Sequence, residues 1–294
     1  MDWAYWGLQE NPFRITLAPD QLTLFPNQAY AAKQIQRAFA LGERVAVLMG
    51  PTGIGKTTLA QYLVAQFENE GIHSAWAACV PIVSSQALLQ MLLADLGQPF
   101  SMRSAVELRM QVVEHLLSNV CENRPTFLVV DEAQYLPGSN LEELRPLVEL
   151  VSPNGQPGVH VLLVGTDSLH ANLAQAGGLE NWVGVRHTLK RLNQDEANSY
   201  LQQQWKKCGG KPDLQATEEA WQMIAELSQG LPLYLHRLAQ HAFAYALECG
   251  EKQLDAEMVW DTAQLLGLVS EESLEETDLE PVLSMGRPPL KDSA

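Results

Sequence analysis

None of the four cysteines, Cys79, Cys121, Cys208 and Cys249, stands in a C-x-x-C pair, and no two histidines are spaced H-x-x-x-H. The usual spellings of a zinc site and of a dithiol redox centre are therefore missing, and the cysteines read as packed thiols. No apolar run approaches the roughly 18 residues that a membrane span needs. Met1-Asp2-Trp3-Ala4-Tyr5-Trp6 lacks the basic start and apolar core of a signal peptide, so the expectation is a cytoplasmic chain without a transmembrane segment. Positive charge is scarce, with 19 Lys and Arg against 35 Asp and Glu and a formal charge of −16. Such a balance repels nucleic acid at long range and argues against a generally DNA-coating surface, leaving room only for a local basic patch. Glu271, Glu272, Glu275, Glu276, Asp278 and Glu280 concentrate part of the negative charge in one segment, and no internal repeat is found.

The hydrophobic share of 46% is that of a folded globular protein, and 294 residues suffice for one large domain or two modest ones. Its most informative stretch is Gly50-Pro51-Thr52-Gly53-Ile54-Gly55-Lys56-Thr57, followed by Thr58, which fits G-x-x-x-x-G-K-[ST] at every fixed position. A triphosphate needs many donors on a backbone that approaches it closely, and glycines at 50, 53 and 55 permit that approach. Lys56 would set its ammonium on the β- and γ-phosphates, and Thr57 would offer a hydroxyl to Mg²⁺. The helix starting here would aim its first amides at the anion. An apolar strand at 44–49 and a helical period over 58–67 supply the required order of strand, loop and helix.

A second signal is Thr126-Phe127-Leu128-Val129-Val130-Asp131-Glu132, an apolar strand running into paired carboxylates. Asp131 is the candidate Mg²⁺ ligand, and Glu132 the residue that orients and polarises a water attacking the γ-phosphate. The bland alternative is that the two acids cap the following turn. Strand 159–166 ends in Thr166, placed either to sense the γ-phosphate or its water, or to serve ordinary turn chemistry. His160 within it reads as a hydrogen-bonded core or edge residue. A further strand is read at 71–80, and a last strand, 183–189, carries Arg186.

Helices are expected at 28–41 (capped by Asn27), 84–96, 104–121 and 141–151, the last bearing Arg145. Strands interleaved with helices specify a three-layer α/β/α sandwich on a mostly parallel sheet, a P-loop NTPase architecture. Beyond Asn193 only helices are read, at 195–207, 217–228, 233–249 and 256–267, which makes a small all-helical lid. The expected organisation is an N-terminal arm over 1–27, an ATPase core over 28–192, a lid over 193–269 and an acidic, disordered tail over 270–294. Aromatics of the arm would pack either on the adenine end of a nucleotide or on a sheet edge.

The stretches YWGLQENPF, GPTGIGKTTL and FLVVDEAQ, with the later RLNQDEANSYL and ELSQGLPLYLHRLAQ, resemble the AAA+ ATPases of the ExeA type (general secretion pathway protein A). The transposition regulators TnsC and phage Mu B are relatives of that family. The resemblance runs from about Trp3 to Gly267. It implies an ATP- and Mg²⁺-dependent homo-oligomer, a ring or helical filament, in which a neighbour's arginine reaches the γ-phosphate. Arg186 stands where that family carries a Gln-Arg arginine, although Val185 replaces the Gln; Arg145 is the alternative, and a plain salt bridge the bland reading of either. The family usually has an arginine after Gly-x-Pro in the lid, where this sequence has Leu233. Either Arg237, one turn on, substitutes, or hydrolysis is slow and ATP acts mainly as an assembly signal.

Three roles fit. The first is a switch-like ATPase that assembles with ATP on double-stranded DNA and recruits or licenses a partner enzyme, as in transposition; a compact chain with no appended peptidoglycan-binding module suits it. Lys190, Arg191, Lys206, Lys207 and Lys211 would form its phosphate strip, unless they are a solvated face. The second is a secretion or envelope-assembly ATPase with a separate membrane partner. The third is a nucleotide-gated scaffold with little turnover whose acidic tail binds a protein.

Overall fold

The structure, a computed structural model, describes residues 2–14, 23–81, 83–100 and 104–269. The chain divides into two compact units, one formed by 18–190 and the other by 1–17 together with 191–294. The expected tail from 270 onward lies outside the described residues.

In the first unit five strands, β1 (Val45–Met49), β2 (His73–Ala78), β3 (Thr126–Asp131), β4 (Val159–Gly165) and β5 (Val183–Thr188), form one sheet in the order β2-β3-β4-β1-β5. Every neighbouring pair is parallel. Helix α1 (Pro26–Ala40) precedes β1; parallel strands need crossovers, and helices α2 (Lys56–Asn69), α3 (Ser85–Asp95), α4 (Ala105–Cys121), α5 (Gly138–Leu141), α6 (Arg145–Val148) and α7 (Leu169–Gln175) lie between the strands in sequence. Side chains alternate across the sheet. Val45, Val47, Leu128, Val130, Val161 and Leu163 bury one face with the leucines of α3 and α4. Phe127 points the other way, against Phe39 of α1 and Phe67 of α2. This is the α/β/α sandwich that the strand and helix order predicts. His160 lies at the edge of this core, its ring 4.7 Å from that of Phe39 and its Nδ1 2.9 Å from the Glu43 carbonyl.

Local expectations need four corrections. The helix expected over 141–151 is α5, a 3-10 turn at Glu142–Leu144 and α6, because Pro146 removes a donor and interrupts the ladder. α7 was not expected at all. Asn27 does not cap α1: Pro26 occupies the first turn, the Gln28 side chain accepts from the Phe25 amide, and Asn27 Oδ1 pairs with His187 Nε2 at 2.9 Å. Only Cys79 and Cys208 are packed thiols, whereas Cys121 and Cys249, at the ends of helices, are exposed.

The second unit holds α8 (Gln194–Lys207), α9 (Pro212–Gln215), α10 (Glu218–Leu227), α11 (Pro232–Glu248) and α12 (Ala256–Leu265). Asn193, Thr217 and Asp255 cap α8, α10 and α12 through their side-chain oxygens. Its core is aromatic, with Trp205 stacked on Phe243 at 4.1 Å. Trp6 and Phe13, from the opening stretch, are buried against the same two rings. The opening aromatics thus complete the core of the helical unit instead of covering a sheet edge.

Candidate functional site

β1 is flanked by β4 and β5, while the chain leaves it for the far edge at β2 and returns through β3 and β4. Such a reversal of strand order opens a crevice at the carboxyl ends of the strands. The register brings those ends level, with Met49 opposite Gly165 and Thr188. The loop 50–55 therefore leaves β1 beside the ends of its neighbours.

The loop depends on its glycines. Gly50 and Gly55 have φ of +150° and +90°, and a Cβ on Gly55 would lie 2.5 Å from Gln28 Nε2. Gln28, buried on α1, donates from that nitrogen to the carbonyls of Ile54 and Gly55, bracing the loop from outside. Lys56 opens α2 and is buried, its Nζ donating to the Gly50 carbonyl at 3.0 Å and the Pro51 carbonyl at 3.1 Å. Burial draws its pKa below the ordinary lysine value, opposed by the nearby charges of Glu132, Asp131 and Asp167.

Asp131 ends β3 and is buried. Its Oδ2 accepts from the Thr57 hydroxyl at 2.8 Å and its Oδ1 from the Glu132 amide at 2.9 Å. Burial raises its carboxyl pKa, and those two hydrogen bonds oppose the rise. Cys79 is buried near the same acids, its thiol pushed up to about 12 by burial first and then by Asp131 and Glu132, which disfavours the nucleophilic thiolate. Glu132 takes the left-handed conformation, φ +54° and ψ +36°, uncommon for a residue with a Cβ and typical of strained functional positions. Thr166 follows β4, its hydroxyl 2.8 Å from that of Ser168.

Fold and geometry thus bring Lys56, Thr57, Asp131, Glu132 and Thr166 to one edge of one sheet. Two oxygen donors in contact, Thr57 and Asp131, fit a hard divalent cation that takes its remaining ligands from phosphate and water. Among the described residues no cluster of three or more His, Cys, Asp or Glu makes an all-protein metal site. The loop, with a buried lysine at a helix N-terminus, fits a polyphosphate.

Arg186 stands apart from this group. It sits on β5, the outer strand next to β1, and its guanidinium pairs with Glu180. Arg145 pairs with Glu142 and Glu149 and lines a cavity of about 330 Å³ with Gly178, Asn181 and Trp182. In the helical unit Leu233 is half-buried in the first turn of α11 and Arg237 is exposed. Lys206, Lys207 and Lys211 are exposed there, as is Arg191, which donates to the carbonyl and side chain of Gln229. Gln28, which braces the loop, and Gln134, whose carboxamide bonds to Glu132 and to the Thr166 amide, were missed as site residues. Both act through contacts distant in sequence, and only the place of Gln134 beside the paired acids hinted at a role.

The class defined here is a P-loop NTPase. Residues 40–173, just under half of the chain, match the family described as AAA domain. The chain is 25% identical over 253 residues to general secretion pathway protein A of Aeromonas hydrophila, a match covering 85% of this chain and 46% of that protein. It is 27% identical over 177 residues to the Mu-like prophage FluMu DNA transposition protein B of Haemophilus influenzae, covering 60% and 53%. The chain thus spans about half the length of each of these relatives. Among solved structures, Cdc6p of Pyrobaculum aerophilum superposes with a TM-score of 0.72 at 19% identity, over 93% of this chain and 74% of that one. The ORC2 protein of Aeropyrum pernix gives 0.68 at 19%, over 87% and 71%. The resemblance to the ExeA type therefore holds in sequence, and no helix of the described residues is long and apolar enough to cross a membrane.

Proposed function

We propose that this chain binds and hydrolyses ATP, oligomerises with it on double-stranded DNA, and recruits or licenses a partner enzyme, as a cytoplasmic regulator of the kind used in transposition. The observation that carries the ATPase reading is the meeting of Lys56, Thr57, Asp131, Glu132 and Thr166 at the carboxyl edge of the sheet. In this reading Gly50 to Thr58 wrap the phosphates, Lys56 turns from its carbonyl partners to the β- and γ-oxygens, and Thr57 and Asp131 hold Mg²⁺. That ion supplies neutralisation of the charge developing on the transferred phosphoryl group. Glu132 orients the attacking water and takes its proton, and Thr166 fixes the γ-phosphate side. Arg186 of a neighbouring copy reaches the γ-phosphate after leaving Glu180, with Arg145 as the alternative. Likeness to a transposition protein B supports the DNA-linked role, and Lys190, Arg191, Lys206, Lys207 and Lys211 are its candidate phosphate contacts.

A second reading, a secretion or envelope-assembly ATPase, is favoured by the longer match to general secretion pathway protein A, 85% of this chain against 60%. One experiment separates them. Particles are imaged with a non-hydrolysable ATP analogue, with and without duplex DNA, for the native chain and Lys56→Ala. Filaments or rings that need analogue, DNA and Lys56 support the first reading. Assemblies indifferent to DNA favour the second, and nucleotide binding that survives Lys56→Ala removes the phosphate-loop assignment.

A further inference from the structure

Gln134 lies in the 3-10 turn Ala133–Tyr135, directly after the paired acids, and its carboxamide has two partners. Nε2 donates to Glu132 Oε2, and Oε1 accepts from the Thr166 amide at 3.2 Å. A carboxylate only accepts and a backbone N–H only donates, so no flipped carboxamide satisfies both. The turn is pinned in its own right. Asn172 of α7 donates through Nδ2 to the carbonyls of Gln134 at 2.8 Å and of Leu136 at 3.0 Å. Gly165, the last residue of β4, leaves the space in which this carboxamide sits, since a Cβ there would lie 2.8 Å from Gln134 Oε1.

We propose that Gln134 is a positioning residue. It occupies one oxygen of Glu132, leaves the other to receive a water, and ties that carboxylate to the end of β4 where Thr166 begins. The inference rests on the ATPase reading above. Glu132 sits on a left-handed residue at a strand end, where a free side chain samples several rotamers. A donor fixed between β3 and β4 selects one of them. Coupling runs both ways: a shift of Thr166 moves the acid, and the reverse.

The test uses Gln134→Met, which keeps length and loses both hydrogen bonds, and Gly165→Ala, which leaves every polar residue in place and crowds the carboxamide. Both are compared with the native chain and Glu132→Gln. Expected for both variants is a fall in kcat of about 10- to 100-fold with KM for ATP within about twofold. In nucleotide-free protein the Thr166 amide exchanges its hydrogen faster, at least about tenfold, because its acceptor is lost or displaced. If Glu132→Gln turns over at the native rate, the ATPase reading falls and this inference with it. If Glu132→Gln is inactive while the Gln134 variant keeps native kcat, or while Thr166 exchange is unchanged, this inference alone is overturned. Should Gln134→Met fail to fold, Gly165→Ala decides by the same two readouts.

Discussion

The two units are built on opposite terms. At the carboxyl edge of its sheet, the first buries a lysine and an aspartate, each only 5% exposed, whose charged forms burial disfavours. The helical unit buries rings: Trp205, Trp221 and Phe243 are at most 1% exposed, and its titratable pair, the buried Tyr200 and the half-buried His236, is held neutral. One unit keeps buried charges in place at a cost to its own stability, and the other puts its buried area into packing. Substitutions at the two places should therefore move stability in opposite directions.

The largest effect is expected at Trp205, fully buried, stacked on Phe243 and donating its indole N–H to Gln215 Oε1 at 3.2 Å. Trp205→Ala leaves a ring-sized cavity and removes one of the hydrogen bonds of Gln215, which keeps those to the Lys211 amide and the Trp6 carbonyl, a loss of about 3–5 kcal/mol. Trp3, Trp6, Trp221 and Trp260 remain in the same unit, so fluorescence-detected urea unfolding still reports on it. A loss below about 1 kcal/mol would break the contrast, since the aromatic cluster would then not be what holds this unit.

Next comes an acid effect at His236. Burial pushes its pKa down to about 4, partly offset by a backbone hydrogen bond with Arg14, and the Tyr200 hydroxyl lies 2.7 Å from its Nε2. Because the folded value lies below the unfolded one, the unfolded chain takes up the proton first as pH falls. Stability is intact above the unfolded value near 6.5 and is lost progressively down to about 4, by about 3 kcal/mol at the end of that window. His236→Gln should flatten the slope of unfolding free energy against pH between those limits. A slope unchanged by the substitution would assign the acid sensitivity to other groups.

How much of this could be read from the chain follows the same division. The phosphate loop and the acid strand are legible because each is contiguous, and apolar runs bounded by turns located all five strands of the sheet. Pro146 stood in plain view inside the helix expected at 141–151, and periodicity overrode it. α7 was missed because seven residues carry barely two turns of pattern. The opening aromatics gave no address, since burying them requires Trp205 and Phe243 about 200 residues on. Gln28 and Gln134 act on residues 27 and 32 positions away, and only the closed sheet reveals such pairs.

The smallest effect sharpens the contrast most, because its sign is reversed. Burial raises the Asp131 pKa in the folded state, so the ionised carboxylate weighs against folding at neutral pH. The penalty is absent below the unfolded value, where the carboxyl is protonated in both states, and it sets in as pH rises through the folded one. Asp131→Asn keeps the shape, its Oδ1 accepting from the Glu132 amide and its Nδ2 donating to the Thr57 hydroxyl, so the nucleotide-free, Mg²⁺-free protein should gain about 1 kcal/mol at neutral pH. The gain should vanish as pH falls into the ordinary carboxylate range, opposite to the acid sensitivity at His236. Thermal unfolding of both proteins at neutral and acid pH, without nucleotide, measures it. A variant less stable than the native chain at neutral pH would mean that this acid helps to hold the fold, and the two units would then differ in composition but not in strategy.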